Sequence, residues 1–181
     1  RAQDNAPVGH GDAALAGGKM LGQLEAGGVG GKEDDLAIAQ FGKVDFILHS
    51  IGMSPNVRKG RPYTDLSYEF LAKTWDISAM SFHKVMQTAW KKDAMRDWGS
   101  ILGLTYIAAQ RTFGKYNDMA DAKALLESIA RSFGYHYGFT KKVRVNTISQ
   151  SPTPTTAGSG VEGFDSMLRY AEINSPLGNA T

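Results

Sequence analysis

The sequence predicts an α/β domain built on a parallel sheet. Three apolar, β-rich runs carry that expectation: VDFILHSIG at 44–52, SILGLTYIAA at 100–109 and KVRVNTIS at 142–149. Stretches of helical period separate them, and each run gives way to a loop rich in Ser, Pro, Gly or Thr. Strands that alternate with helices pair in parallel through right-handed crossovers. Ligands then gather outside the carboxyl ends of the strands, so HSIG, LTY and ISQSPTPTTAGSG fall on one edge.

Residues 1–32 stand apart in composition, dominated by Gly and Ala with no strand period and no sustained helical stripe. Low hydrophobicity with many glycines reads as a loosely packed or disordered segment, distinct from a domain at 33–181. Its Gly-rich pieces lack the preceding strand that a phosphate-binding loop requires. From Glu33 a short helical stretch, EDDLAIAQFG, leads into the first strand, whose near-continuous apolar run suits burial in a parallel sheet. After the loop SPNVRKGRPYTD, a long helix is expected from about Leu66 to Met95, with Leu71, Trp75, Ile77, Met80, Val85 and Met86 near one stripe. Gly99 should break it before the second strand. The next helix is expected to open at Tyr116, carry Met119, Leu125, Leu126, Ile129 and Phe133, and stop at Gly138. A third strand, the loop 150–160 and a short amphipathic helix at 163–168 follow.

A net charge of +2 gives no reason to expect nucleic acid or an acidic membrane surface as partner. Without cysteine there are neither disulfides nor thiolate metal sites, and His10, His49, His83 and His136 lack metal-ligand spacing. No apolar run approaches the roughly 20 residues of a membrane span, so a cytoplasmic location is expected.

The stretch LTYIAAQRTFGKYNDMADAK carries the chemistry. Tyr106 closes a strand, Tyr116 follows ten residues later, and Lys123 follows seven after that. On a helix seven residues make about two turns, roughly 10 Å, and return to nearly the same azimuth. Such a face would join a phenol and an ammonium group, with a second phenol arriving from the strand. That combination can donate a proton to a carbonyl while a cation holds a hydroxylated cofactor. Asp118 and Asp121 read as first-turn charges that complement the helix dipole.

VDFILHSIG, DISAMSF, LTYIAAQRTFGKYNDMADAK and VRVNTISQSPTPTTAGSG, in that order, resemble the enoyl-acyl-carrier-protein reductases of bacterial fatty-acid synthesis. These are a divergent branch of the short-chain dehydrogenase/reductase superfamily, and the likeness, over about residues 34–181, is closest to the Bacteroidetes form. It implies a Rossmann-type, doubly wound parallel sheet in three α/β/α layers, here incomplete at both ends. It also implies reduction of a trans-2-enoyl thioester on acyl carrier protein with NADH (or NADPH), by a homotetramer when complete. By resemblance, Tyr116 hydrogen-bonds the thioester carbonyl, Tyr106 is the second active-site tyrosine, and Lys123 grips the nicotinamide ribose. Ser50, Ile51 and Gly52 match the cofactor-side turn, and Ser54 the acyl-contacting position. Pro152, Thr153, Thr155, Thr156 and Ala157 match the loop over nicotinamide and pyrophosphate.

Two alternatives are weighed against this. An ordinary short-chain dehydrogenase or 3-ketoacyl reductase would carry a lysine four residues after its tyrosine and a serine about thirteen before it. Those positions hold Ala120 and Gly103. A truncated product acting only as an interaction module is the other. Nothing in 1–32 resembles the family's opening strand and Gly-rich loop, so the 181-residue chain alone is expected to lack the pyrophosphate end of the site. The loop also departs from the usual Gly-Pro-Ile-Arg/Lys-Thr-Leu pattern. Ser151-Pro152-Thr153-Pro154-Thr155-Thr156 has no basic residue, and its extra proline stiffens the segment.

Overall fold

Three strands of six to eleven residues form: β1 (Val44–His49), β2 (Met95–Thr105) and β3 (Arg144–Ser149). They pair in parallel in the order β1-β2-β3, with His49 opposite Gly103 and Thr105 opposite Ser149. The computed structural model describes residues 42–154 and 163–178 together with Ala39. Residues 1–32, most of EDDLAIAQFG, and Thr155, Thr156 and Ala157 lie outside these. Helices α1 (Pro55–Arg58), α2 (Tyr68–Trp75), α3 (Ser81–Lys91), α4 (Asp118–Lys141) and α5 (Phe164–Asn174) complete the described residues. None of these helices is long and apolar enough to cross a membrane.

The core lies between one face of the sheet and helices α3 and α4. Val44, Ile47, Met95 and Ile101 from the strands meet Phe82, Met86, Leu126, Ile129 and Tyr137 from the helices. Removing a side chain the size of Leu or Phe from water contributes about 1.5–3 kcal/mol. Tyr137 is fully buried, and its hydroxyl is satisfied by donating to the Met86 carbonyl at 2.9 Å. Gly103 lets the layers close. A Cβ there would stand 3.1 Å from the Phe82 ring and 3.2 Å from Leu126 Cδ2. On the opposite face Phe46, Leu48, Leu102 and Leu104 stay partly exposed.

Several boundaries differ from the sequence expectation, each for a local reason. The helix expected over Leu66–Met95 is a 3₁₀ turn (Tyr63–Asp65), α2, a π-helical turn (Asp76–Met80) and α3. A π turn adds a residue to the helical repeat and shifts the buried stripe. Trp75 and Met80 therefore stay a little over one-third exposed (38% and 37%), while Ser78, Ala79, Ser81 and Phe82 turn inward. The strand then begins at Met95 rather than after Gly99. Its first residues bulge, since Val44 pairs with Met95 but Phe46 already pairs with Ser100. Gly99 belongs to that bulge. A Cβ there would lie 2.8 Å from Met95 Cε and 3.0 Å from the Asp45 carbonyl.

Helix α4 does not open at Tyr116 and does not stop at Gly138. It starts at Asp118, runs through both Gly134 and Gly138, and ends with Lys142 in the left-handed region at φ 57°. A single glycine inside a well-packed helix costs only about 1 kcal/mol, less than the face it would abandon. The last helix is longer than expected, eleven residues from Phe164, and none of them is buried.

The π turn also fixes the end of β1. His49 Nε2 lies 2.8 Å from Ser81 Oγ, which itself donates to the Ile77 carbonyl at 2.6 Å. The hydroxyl proton is thus spent, so His49 donates through Nε2–H and leaves a buried, unpartnered Nδ1. Burial, aided by the Lys123 charge, lowers its pKa from 6.5 to about 3. Between those values the unfolded chain binds the proton that the fold refuses, so stability falls as pH falls through that window. We expect this group alone to remove on the order of 2 kcal/mol between about pH 7 and pH 5. Urea unfolding at the two pH values checks it: His49→Gln should lack this loss, and an equal loss in the variant would overturn the assignment.

Candidate active site

Parallel strands deliver their loops to one edge, and the residues singled out by sequence meet there. After His49, Ser50, Ile51 and Gly52 form the turn that leaves β1, with Ser50 exposed and the other two half-buried. Met53 is clamped at both ends: its N–H donates to Ser78 Oγ at 3.0 Å, and Ser78 Oγ donates to its carbonyl at 3.1 Å. Any side chain at position 52 would meet Met119 Cε at 3.3 Å and Lys123 Nζ at 3.7 Å. The missing Cβ therefore lets the turn approach the lysine closely.

Lys123, in the second turn of α4, is 7% exposed, and its Nζ donates to the Leu104 carbonyl at 2.7 Å. Burial lowers its pKa to about 8. An ammonium group has three donors, so others remain for a hydroxylated ligand.

Tyr106 follows β2 directly, and a 3₁₀ turn (Ile107–Ala109) takes the chain away. Tyr116 lies in the turn before α4, its N–H bonded to the Phe113 carbonyl at 3.0 Å. The two rings stand 4.9 Å apart, tilted by 58°, and Phe113 packs on Tyr106 at 5.5 Å. The structure thus joins the two phenols, although Tyr116 and Lys123 do not share a helical face. Burial raises the pKa of both phenols, and Tyr106 adds to the effect on Tyr116. Both causes hold the proton on Tyr116, so its phenol is a neutral donor.

Ser54 is buried and its hydroxyl is engaged within the protein. It caps α1 by accepting from Val57 N–H at 3.0 Å and donates to Asp118 Oδ1 at 2.6 Å. Along the loop after β3, Gln150 N–H reaches the Thr105 carbonyl at 3.4 Å, and Gln150 Nε2 donates to Thr153 Oγ1 at 3.2 Å. Pro152 and Thr153 are half-buried.

Sequence reading missed the polar supports of this edge. Ser78 and Ser81 sit in DISAMSF, whose π turn no helical period announces. Asp118, read as a first-turn surface charge, is fully buried and collects hydrogen bonds from Ser54, Asn56 and Thr74. Asp121 does lie outside, accepting from the Tyr63 hydroxyl at 3.1 Å.

Residues 35–181 match the family described as enoyl-(acyl carrier protein) reductase. Enoyl-[acyl-carrier-protein] reductase [NADH] 1 of Rhizobium meliloti (strain 1021) is 40% identical over 138 residues, 76% of this chain and 50% of the relative. The structure of a FabI–NADH complex from Alistipes finegoldii is 70% identical, with a TM-score of 0.78, covering 81% of this chain and 52% of that one. The enoyl-[acyl-carrier-protein] reductase (NADH) of Aquifex aeolicus VF5 superposes with a TM-score of 0.72 at 29% identity, over 80% of this chain and 56% of its own. The chain spans about half the length of these relatives. Its parallel sheet with helices is the Rossmann-like fold of these structures, and the chain belongs to the enoyl-(acyl carrier protein) reductase family.

Proposed function

We propose that the protein carrying this chain is a cytoplasmic enzyme of fatty-acid elongation that reduces trans-2-enoyl thioesters on acyl carrier protein with NADH. The observation that carries the reading is the tyrosine pair, 4.9 Å apart, beyond the end of a strand whose Leu104 carbonyl holds the buried Lys123. The FabI–NADH structure at 70% identity supports the choice of cofactor.

The residues present fit such a cofactor. Lys123 keeps donors free for a ribose diol, and Gly52 leaves the space in front of it that a Cβ would fill. Ser50 and Ile51 would border the same group, as would Pro152 and Thr153; Thr155, Thr156 and Ala157, which the resemblance also assigns to it, lie outside the described residues. Bound there, NADH supplies a hydride to the β-carbon of the alkene. Negative charge would then develop on the thioester oxygen, where the Tyr116 hydroxyl donates a hydrogen bond, and a proton drawn ultimately from solvent would add at the α-carbon to complete the reduction. Burial keeps that phenol protonated and available as a donor. Tyr106 packs against the Tyr116 ring and limits where its hydroxyl can point. Ser54, whose hydroxyl is spent within the fold, contributes shape on the acyl side rather than a free donor.

In the full-length protein, Tyr116→Phe should lower enoyl-thioester turnover by about 10²–10³ and leave NADH binding nearly intact. An unchanged single-turnover rate would move the role to Tyr106. Because kcat/KM reports groups of the free enzyme, its profile for NADH should fall above about pH 8, where Lys123 loses its proton. Lys123→Arg keeps the charge at high pH and should shift that limb upward; a limb in the same place would assign it elsewhere.

We also propose that the full-length protein is a homotetramer. Tyr135 and Phe139 on α4 are 64% and 73% exposed, and Tyr68 on α2 is 82% exposed, more aromatic surface than a solvated helix face needs. Sedimentation at micromolar concentration should show a tetramer, and a monomer alone would refute it.

A further inference from the structure

Asp118 takes no direct part in the chemistry just proposed, yet it is a carboxylate with no solvent exposure. Burying one is costly unless its oxygens are hydrogen-bonded. Oδ1 accepts from Ser54 Oγ at 2.6 Å. Oδ2 accepts from Asn56 Nδ2 at 2.9 Å and lies 2.8 Å from Thr74 Oγ1, whose single proton it shares with the Phe70 carbonyl. Those groups come from the cap of α1, α1 itself and α2, 44 to 64 residues away in sequence. One side chain thus ties the whole acyl-side segment to the first residue of α4. The site calls for acceptors on both oxygens, since an amide at 118 would turn its own N–H donors toward Ser54 or Asn56.

The residue between Tyr116 and Asp118 is under strain. Asn117 has φ 44° and ψ −130°, a conformation that glycine adopts readily and other residues rarely do. Its Nδ2 donates to the Arg61 carbonyl at 2.6 Å, while Oδ1 is buried and has no partner among the described residues. Such a conformation persists only where the surroundings over-determine it. Here the surroundings are two consecutive side chains: Asn117 tied to Arg61, and Asp118 tied to α1 and α2.

We propose that Asp118 is a positioning residue: its buried carboxylate holds the strained 116–118 peptide and so sets the Tyr116 phenol against Tyr106. This rests on the reductase reading for its catalytic consequence, but not for its structural one. The acyl-side segment and the phenol are then located by one anchor, and the relation between substrate and donor is fixed independently of the Lys123 side.

The test uses the full-length protein and the variants Asp118→Asn, Thr74→Val, Asn117→Gly and Asn117→Ala. Asp118→Asn should lower kcat for an enoyl thioester about tenfold or more, the scale of a small misplacement, with KM for NADH unchanged. Thr74→Val, which removes one donor and keeps the shape, should show a smaller loss of the same kind. Hydrogen exchange should quicken in peptides 50–61 and 113–120 of Asp118→Asn, while 82–90 and 126–137 keep their protection. Asn117→Gly should retain more kcat than Asn117→Ala, because glycine accepts the backbone that alanine strains. Loss of protection spread evenly over all four peptides, or no change in any, would overturn the proposal; so would Ala equal to Gly at 117. If Asp118→Asn does not fold, Thr74→Val read by the same exchange pattern decides. A wild-type protein without enoyl-thioester turnover would refute the function proposed above, while the exchange pattern would still decide the role of Asp118.

Discussion

A parallel sheet leaves the turn beyond each strand without a sheet partner, and the rest of this site depends on how that problem is solved after β1. The solution is the π-helical turn at Asp76–Met80 together with the first residue of α3. Ser78 and Ser81, three residues apart on neighbouring positions of the helical surface, are both buried. Ser78 satisfies both the N–H and the carbonyl of Met53, and Ser81 receives the His49 proton. With both ends of the segment 49–53 held, Gly52 is kept at the distance from Lys123 that its missing side chain permits. The turn after β1 is thus held at both ends by side chains of the helical segment behind it.

Burial gives the site a common electrostatic character. His49 is neutral because its ring is desolvated and a lysine stands near. Lys123 is brought to about 8, and the phenols are pushed the other way by the same desolvation. Each shift favours the uncharged form, as expected where water is scarce. Lys123 remains cationic at neutral pH but within reach of losing its proton, with the Leu104 carbonyl as its named protein partner. A polyhydroxy ligand would restore to the ammonium the hydrogen-bond acceptors that burial removes.

The strands and their shared edge were legible in the sequence because a buried parallel strand has to be apolar on both faces, and 44–49 and 101–104 are. Tyr106 and Lys123 were legible as well, since each stands at a fixed offset from an element end that composition marks. Tyr116 was expected to open the helix and instead stands two residues before it: residues 116–119 read as a helical start, and the positive φ of Asn117, a non-glycine, carries no local signature. The same holds for Asp118. An acidic residue in a first turn is ordinary, and nothing in a linear pattern pairs it with Ser54, Asn56 and Thr74. Long-range polar networks are specified by three-dimensional satisfaction of donors, not by periodicity. Helical period likewise concealed the π turn, because the apolar residues on either side each fit a regular stripe.

The structure also explains why this chain could not run the ordinary short-chain dehydrogenase arrangement from the positions considered. Gly103 faces the helices, and its would-be Cβ meets Phe82 and Leu126 at 3.1–3.2 Å. A serine there would drive its hydroxyl into the hydrophobic core rather than toward a substrate. Ala120 lies one turn into α4, half-buried, while Lys123 already occupies the carbonyl of Leu104. The two phenols stand instead off the regular elements, at the residue after a strand and in the turn before a helix. Positions outside an element are free of its side-chain directions, so two bulky phenols can lie against each other there, which the tight packing between sheet and helices would forbid. That freedom leaves the phenols without the positioning that a strand or helix supplies, and the polar anchors at Asn117 and Asp118 supply it from outside.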